Sequence, residues 1–307
     1  SRSKEIDNVF LPYKWIGKNK KVELYKKESF VFHQIDLNKN NKELLNLIDY
    51  FEPNIIVNFA AQGMVAESWK NPTDWYRTNV LAQVALHDEL RKKAFLSKYV
   101  HVTTPEVYGS TDEGWIKENT PFNPSTPYAV SRAACDLHLQ SFYKAYRFPV
   151  IFTRSANVYG PGQQLYRIIP RTILSARTGK KMFLHGGGIS KRSFIHIDDV
   201  VKATMTLALN GESGTSWHLS TTETITIKEL VAKILSLTGK NLENIVEEST
   251  DRLGKDQSYM LDSSKMREKF NWTEKISLAE GLGKTIDWVD ENISLLKQLN
   301  WDYQHKS

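Results

Sequence analysis

Three short runs constrain the fold most: NIIVNF (54–59), KYVHVT (98–103) and PVIFTR (149–154). Each reads as a strand, NIIVNF as a nearly continuous apolar one, and the segments between them carry helical periodicity. A strand without a polar face suits a parallel sheet covered on both sides. Parallel neighbours also need crossovers long enough to hold a helix. The alternation therefore predicts a doubly wound α/β domain spanning residues 30 to 155.

Around these runs the chain reads as follows. Residues 1–25 are polar and basic, without a clear period. FVFHQI (30–35) reads as a further strand closed by Asp36, and 41–50 as a short helix. Ala60 to Glu67 is a loop of small residues. Asn71-Pro72 opens a helix expected to run to Leu96, and a second begins at Pro127 and reaches Tyr146, the prolines suiting first turns. SANVYGPG (155–162) is rich in turn residues. Beyond it lie a helix over 168–178, a short strand over 181–185 and a flexible Gly186–Gly188 turn. FIHIDDVV (194–201) passes from strand to helix, with Asp198 or Asp199 as its cap. A strand over 217–219 and a helix from Thr226 to Leu237 follow. Mixed polar sequence fills 240–275, and the last amphipathic helix covers 278–298.

The composition narrows the function classes. The 307 residues suffice for a domain with a second lobe. With 41 basic against 35 acidic residues the net charge is +6, but the lysines are scattered, without a dense stripe. That argues against nucleic acid and fits a small anionic substrate. Cys135 is the only cysteine, which excludes an internal disulfide and points to a reducing, cytoplasmic setting. No apolar run approaches a membrane span and no signal peptide is visible. His185, His196 and His218 lack the spacing of metal ligands, so no metal is expected.

The chemistry concentrates in TTPEVYG (103–109) and TPYAVSR (126–132). Thr104 and Glu106 sit at the carboxyl end of an expected strand, where open α/β sheets bind ligands. Tyr128 and Arg132 are four residues apart, on one face of a helix. A phenol, a hydroxyl, a carboxylate and a permanent cation thus meet at one mouth. A phenol titrates near pH 10, and a cation one turn away helps it serve as a base. One usual feature is missing: no G-x-G-x-x-G occurs anywhere. The element order from Phe30 resembles a dinucleotide domain entered after its second strand. Either a first β-α-β portion lies outside these 307 residues, which is the expectation, or the protein does without it.

These motifs, with NFAAQGMVAESWKNPTDWYRTNV (58–80), RSANVYGPGQ (154–163), KRSFIHIDDV (191–200) and DRLGKD (251–256), resemble the extended short-chain dehydrogenase/reductase family. Within it they are most similar to nucleotide-sugar 4,6-dehydratases of the dTDP-glucose type. The resemblance implies a Rossmann-like domain over 1–165, with parts of 190–215 returning to it. It implies a smaller carboxyl-terminal substrate lobe over 166–307.

It also implies roles. Tyr128 would take the proton from a sugar hydroxyl as hydride passes to NAD. Thr104 would bond the same oxygen, Glu106 would remove the C5 proton, and water would leave from C6. Arg132 stands where the family has lysine, and the guanidinium is longer and planar. Pro105 stands where dTDP-glucose dehydratases carry an acid that protonates the leaving hydroxyl. Asp36, Ala60, Ala61, Gln62 and Thr103 would line NAD together with Tyr128 and Arg132, and Asn79 would brace the loops. Asn157, Arg167, Arg192 and Arg252 would hold a nucleotide-diphosphate sugar. A homodimer would form through helices 72–96 and 127–146. The rival readings are a nucleotide-sugar epimerase, which needs no elimination, and a catalytically impaired sugar-nucleotide-binding homologue.

Overall fold

The computed structural model describes residues 31–110, 114–249 and 260–305. Segment 1–30 and Arg252, with the DRLGKD motif around it, lie outside the described residues.

The first half alternates as the apolar runs demand. Helix α1 (Asn41–Phe51) leads to strand β1 (Ile55–Asn58), then to α2 (Pro72–Tyr76) and α3 (Ala82–Leu90), joined by a π-helical turn over Arg77–Leu81. β2 (Lys98–Val102), α4 (Pro127–Tyr146) and β3 (Val150–Ser155) follow. β4 (Asn157–Tyr159), α5 (Ile168–Thr178), β5 (Met182–His185), β6 (Lys191–Arg192) and β7 (Phe194–His196) come next. Then come α6 (Ile197–Asn210), β8 (Ser216–Leu219), β9 (Ile225–Thr226), α7 (Ile227–Leu237) and α8 (Leu242–Ile245). β10 (Val246–Ser249), α9 (Ser264–Phe270) and α10 (Leu278–Leu296) complete the described order.

The central sheet has order β1-β2-β3-β8, with every pairing parallel. Alternate residues of β3 feed opposite faces, as a strand's period of two requires. Val150 and Phe152 join Leu86, Leu90, Cys135 and Leu139 beneath α3 and α4. Ile151 joins Val200, Ala203, Leu207 and Trp217 beneath α6. Helices therefore cover both faces, and the fold is α/β and Rossmann-like. The lobe has its own core, in which Ile169, Ile173, Leu230, Ile234, Leu282 and Ile286 bring α5, α7 and α10 together.

Four expectations are corrected. Residues 31–35 form no strand, and Val31 is 59% exposed. In the 3-2-1-4-5-6 order the third strand pairs with the second rather than the fourth. No second strand exists among the described residues, so this segment has no ladder to join. The helix from Pro72 ends at Leu90, not Leu96, and changes pitch at residues 77–81. α6 is capped by neither Asp198 nor Asp199. The His196 ring takes that role, accepting from Asp198 N at 3.3 Å, while the Asp199 carboxylate accepts from Lys275 N and Ile276 N, both at 3.0 Å. Finally, α10 stops at Leu296, two residues short of expectation.

Candidate active site

The site forms where the ends of β1 and β2 meet the start of α4. After β2 the chain makes a 3-10 turn over Pro105–Tyr108. Thr104 is its cap, accepting from Glu106 N at 3.4 Å, and Pro105 occupies the first position, where a missing N–H costs nothing. Gly109 closes the turn at φ 72°, and a Cβ there would fall 2.1 Å from the Asn123 carbonyl oxygen. Only glycine permits that close approach, which fixes the loop leading into α4.

α4 starts as its sequence directs. The Thr126 hydroxyl accepts from Ala129 N at 3.2 Å, with Pro127 just inside. The Tyr128 backbone is then held on both sides. Its N–H donates to Ser68 Oγ at 3.1 Å, and its carbonyl accepts from Ser131 Oγ at 2.7 Å. The phenol is half-buried and hydrogen-bonded to Thr104. Thr104 thus accepts from the Glu106 amide and stands beside the Tyr128 phenol. Burial raises the phenol's pKa, and the Glu106 carboxylate pushes the same way. Arg132, the Thr104 hydroxyl and Arg167 oppose them without prevailing. The structure therefore brings Thr104, Glu106, Tyr128, Arg132 and the lobe's Arg167 into one electrostatic neighbourhood.

Arg132 is 1% exposed and lies under this group. Its Nη2 donates to the Val102 carbonyl and comes within 3.5 Å of His101 Nε2. Its Nε and Nη1 are buried and meet no acceptor among the described residues. Behind it, Asp136 accepts from Arg154 at 2.6 Å and from Thr103 Oγ1 at 3.0 Å, and lies 3.4 Å from His101. Burial alone would raise the Asp136 carboxyl, but Arg154, His101 and Arg132 together hold it below the ordinary range. Thr103 thus serves this buried network through its side chain.

The loop after β1 carries Ala60, Ala61 and Gln62. Both alanines are exposed, and Gln62 is buried. Asn79 grips the loop from the π-helical turn: its Oδ1 accepts from Gln62 N at 2.7 Å, and its Nδ2 donates to Gln62 O at 3.0 Å. The same Nδ2 reaches Ser131 Oγ at 2.9 Å, tying the loop to α4. A π turn inserts a residue into the helix and re-aims its neighbours, and here it points Asn79 inward. Asp36 stands further out. Its Oδ1 accepts from Asn38 N at 2.8 Å in a tight turn, which Asn38 Nδ2 ties to Thr78 at 2.9 Å.

On the lobe side, Asn157 begins β4 and pairs with Phe194 of β7. Arg192 is buried on β6, its Nη1 donating to Lys191 O at 2.8 Å. Arg167 is exposed at the cap of α5, its guanidinium 5.4 Å from the Tyr166 ring. Among the described residues no three His, Cys, Asp or Glu side chains group to hold a metal ion, and no helix is long and apolar enough to cross a membrane.

Sequence reasoning missed Ser68, His101 and Asp136, and the approach of Tyr303 and His305 to Gln62. Ser131, three residues after Tyr128 on the same helical face, carried the one signal that was readable.

The same fold recurs in characterised proteins. The model of the GDP-mannose 4,6 dehydratase family matches residues 12–285. The human dTDP-D-glucose 4,6-dehydratase is 31% identical over 291 residues, covering 92% of this chain and 79% of that protein. The crystal structure of dTDP-glucose 4,6-dehydratase from Bacillus anthracis, in complex with NAD, superposes with a TM-score of 0.81 at 31% identity, covering 93% of this chain and 87% of that one. A UDP-glucose 4-epimerase from Thermus thermophilus, also with NAD, reaches a TM-score of 0.80 at 22% identity, over 92% and 95% of the two chains, a likeness of fold alone. By the extent of these matches, the chain belongs to the extended short-chain dehydrogenase/reductases, in the GDP-mannose 4,6 dehydratase family.

Proposed function

We propose that the protein is an NAD-dependent nucleotide-sugar 4,6-dehydratase, turning a nucleotide-diphosphate hexose into its 4-keto-6-deoxy product. The observation that carries this reading is the convergence of the Tyr128 phenol, the Thr104 hydroxyl and the Glu106 carboxylate at one strand end.

The chain's residues fit NAD at the ribose. Arg132 presents two buried donors without a protein acceptor, a costly arrangement unless a ligand meets them. Ala60, Ala61 and Gln62 would lie along the dinucleotide, with Asp36 and Thr103 beside it. NAD supplies the hydride acceptor and donor. Thr104 orients the sugar hydroxyl and shares its proton with Tyr128, the base of the oxidation. Once C4 is a ketone the neighbouring C–H is acidified, and Glu106 removes the C5 proton. Because Pro105 has no proton to give, Glu106 or water protonates the departing C6 hydroxyl. Asn157, Arg167, Arg192 and Arg252 hold the sugar diphosphate, where the guanidinium fork suits phosphate oxygens.

In this reading 1–165 with parts of 190–215 is the cofactor domain and 166–307 the substrate lobe. A homodimer through α2–α3 and α4 accounts for Leu81, Val130 and Leu137, exposed on those helices. The buried lone Cys135 suits the cytoplasm. Pro105 favours one second reading, an epimerase that forms the ketone without elimination.

The test is incubation with NAD and a panel of dTDP-, UDP-, GDP- and CDP-hexoses, with products followed by mass. Loss of one water with a carbonyl product supports dehydration. An isomer of unchanged mass establishes the epimerase instead.

A further inference from the structure

The last described residues return to the mouth of the central sheet. Trp301 is buried against the lobe core, its Nε1 donating to Leu296 O at 2.9 Å. Arg171 Nη1 donates to both the Trp301 carbonyl and the Asp302 carboxylate at 2.9 Å. These contacts set the direction in which the chain leaves the lobe. Tyr303 then packs edge-on against Tyr166 at 5.3 Å, beside Arg167, and its hydroxyl accepts from Gln62 Nε2 at 2.9 Å. His305 lies 5.0 Å from the fully buried Trp75 ring and within 8° of parallel to it.

The two imidazole nitrogens of His305 have complementary partners. Nε2 is 2.7 Å from the Asp74 carboxylate, and Nδ1 is 3.3 Å from Gln62 Nε2. A neutral ring with its proton on Nε2 satisfies both at once, donating to Asp74 and accepting from the amide. Trp75 adds a third tie, its Nε1 donating to Gly63 O at 2.8 Å. The loop that follows β1 is therefore gripped from two sides, by Asn79 at the Gln62 backbone and by Tyr303 and His305 at its side chain. The loop itself is unfavourable in isolation, with Met64 at φ 71°.

We propose that Tyr303 and His305 are positioning residues: the segment from Asp302 to His305 is a strap that locks the Gln62 loop in its binding shape and joins it to the substrate lobe. The consequence for NAD affinity rests on the function proposed above, whereas the locking of the loop does not.

The experiment uses the full chain and two variants, Tyr303→Phe, which removes one hydroxyl, and the double variant Tyr303→Phe/His305→Ala. Hydrogen exchange of the 60–76 amides and NAD binding by calorimetry are measured on each, with circular dichroism as the check on folding. In the double variant, exchange across 60–76 is expected to rise about tenfold while exchange in β2 and β3 stays unchanged, and the NAD dissociation constant is expected to rise about tenfold. The single variant falls between. Unchanged exchange in the double variant overturns the strap. Raised exchange with unchanged NAD affinity overturns its positioning role. Raised exchange in a protein that binds no NAD in any form supports the strap and counts against the cofactor reading alone.

Discussion

His218 offers the sharpest test of the structure beneath the site. It lies on β8 with no exposed surface. Nδ1 is 3.1 Å from both the Ile116 and Asp262 carbonyls, so it carries the proton and donates. Nε2 is 2.9 Å from the Tyr108 hydroxyl, which donates to it. One neutral ring thus joins β8, the turn that bears Glu106 and the segment before α9. Burial, helped by the Arg154 cation, depresses its pKa to about 3. In the unfolded chain the ring protonates near pH 6.5. Between these values the unfolded state holds the extra proton, so stability falls as pH falls. At about pH 5 the difference amounts to about 2 kcal/mol relative to neutral solution. His218→Gln keeps a donor and an acceptor but does not titrate. Urea unfolding of both proteins at about pH 8 and about pH 5 isolates the effect, because other groups contribute equally to each. Wild type is expected to lose about 2 kcal/mol more than the variant between the two conditions. Equal losses would falsify the buried neutral ring.

Three further outcomes follow from the site. Glu106→Gln removes the carboxylate that raises the Tyr128 pKa, so the rise of turnover with pH shifts to lower pH for any residual oxidation, while loss of water stops; a pH profile of ketone formation against dehydration reads both. Asn79→Ala removes both hydrogen bonds to the buried Gln62 backbone and cuts the tie to Ser131. It should cost about 2–4 kcal/mol in urea unfolding; a loss below about 1 kcal/mol would show that the brace is dispensable. Leu81→Lys with Leu137→Lys places charges on two residues exposed by 66% and 55%. Sedimentation should then show a dimer become a monomer with an unchanged far-UV circular dichroism spectrum, and an unaltered sedimentation coefficient would remove these helices from the interface.

The parts of the fold that the sequence disclosed are those whose signal is local. NIIVNF, KYVHVT and PVIFTR are rich in β-branched and aromatic residues because helices cover both faces of their sheet, and each forms its strand. Thr126-Pro127 and Thr226 with Glu229 start helices because capping uses neighbours within a turn. FVFHQI has the same local signature, but a strand exists only with a partner, and pairing is not written in the segment. The helix from Pro72 was overextended because its apolar period passes Leu90 unbroken, while the π turn leaves no mark in the spacing. The strap lay beyond reach for a related reason: Gln62 and Tyr303 are 241 positions apart.

Arg132 shows why a motif and its surroundings must be read together. From its spacing it is simply a cation beside a phenol. In the fold its Nη2 is already committed to the Val102 carbonyl, at the end of the strand that supplies Thr104. A buried guanidinium is tolerable only where its donors are met, and the protein meets one side of it. Nε and Nη1, also buried, meet no acceptor among the described residues. A lysine at this position would present a compact ammonium with three rotating donors, without the fixed plane of the guanidinium. The planar fork is fixed to the sheet by one edge, through Nη2 and the Val102 carbonyl. The carboxylate of Asp136, set behind His101, supplies negative charge that helps to hold a permanent cation at that depth.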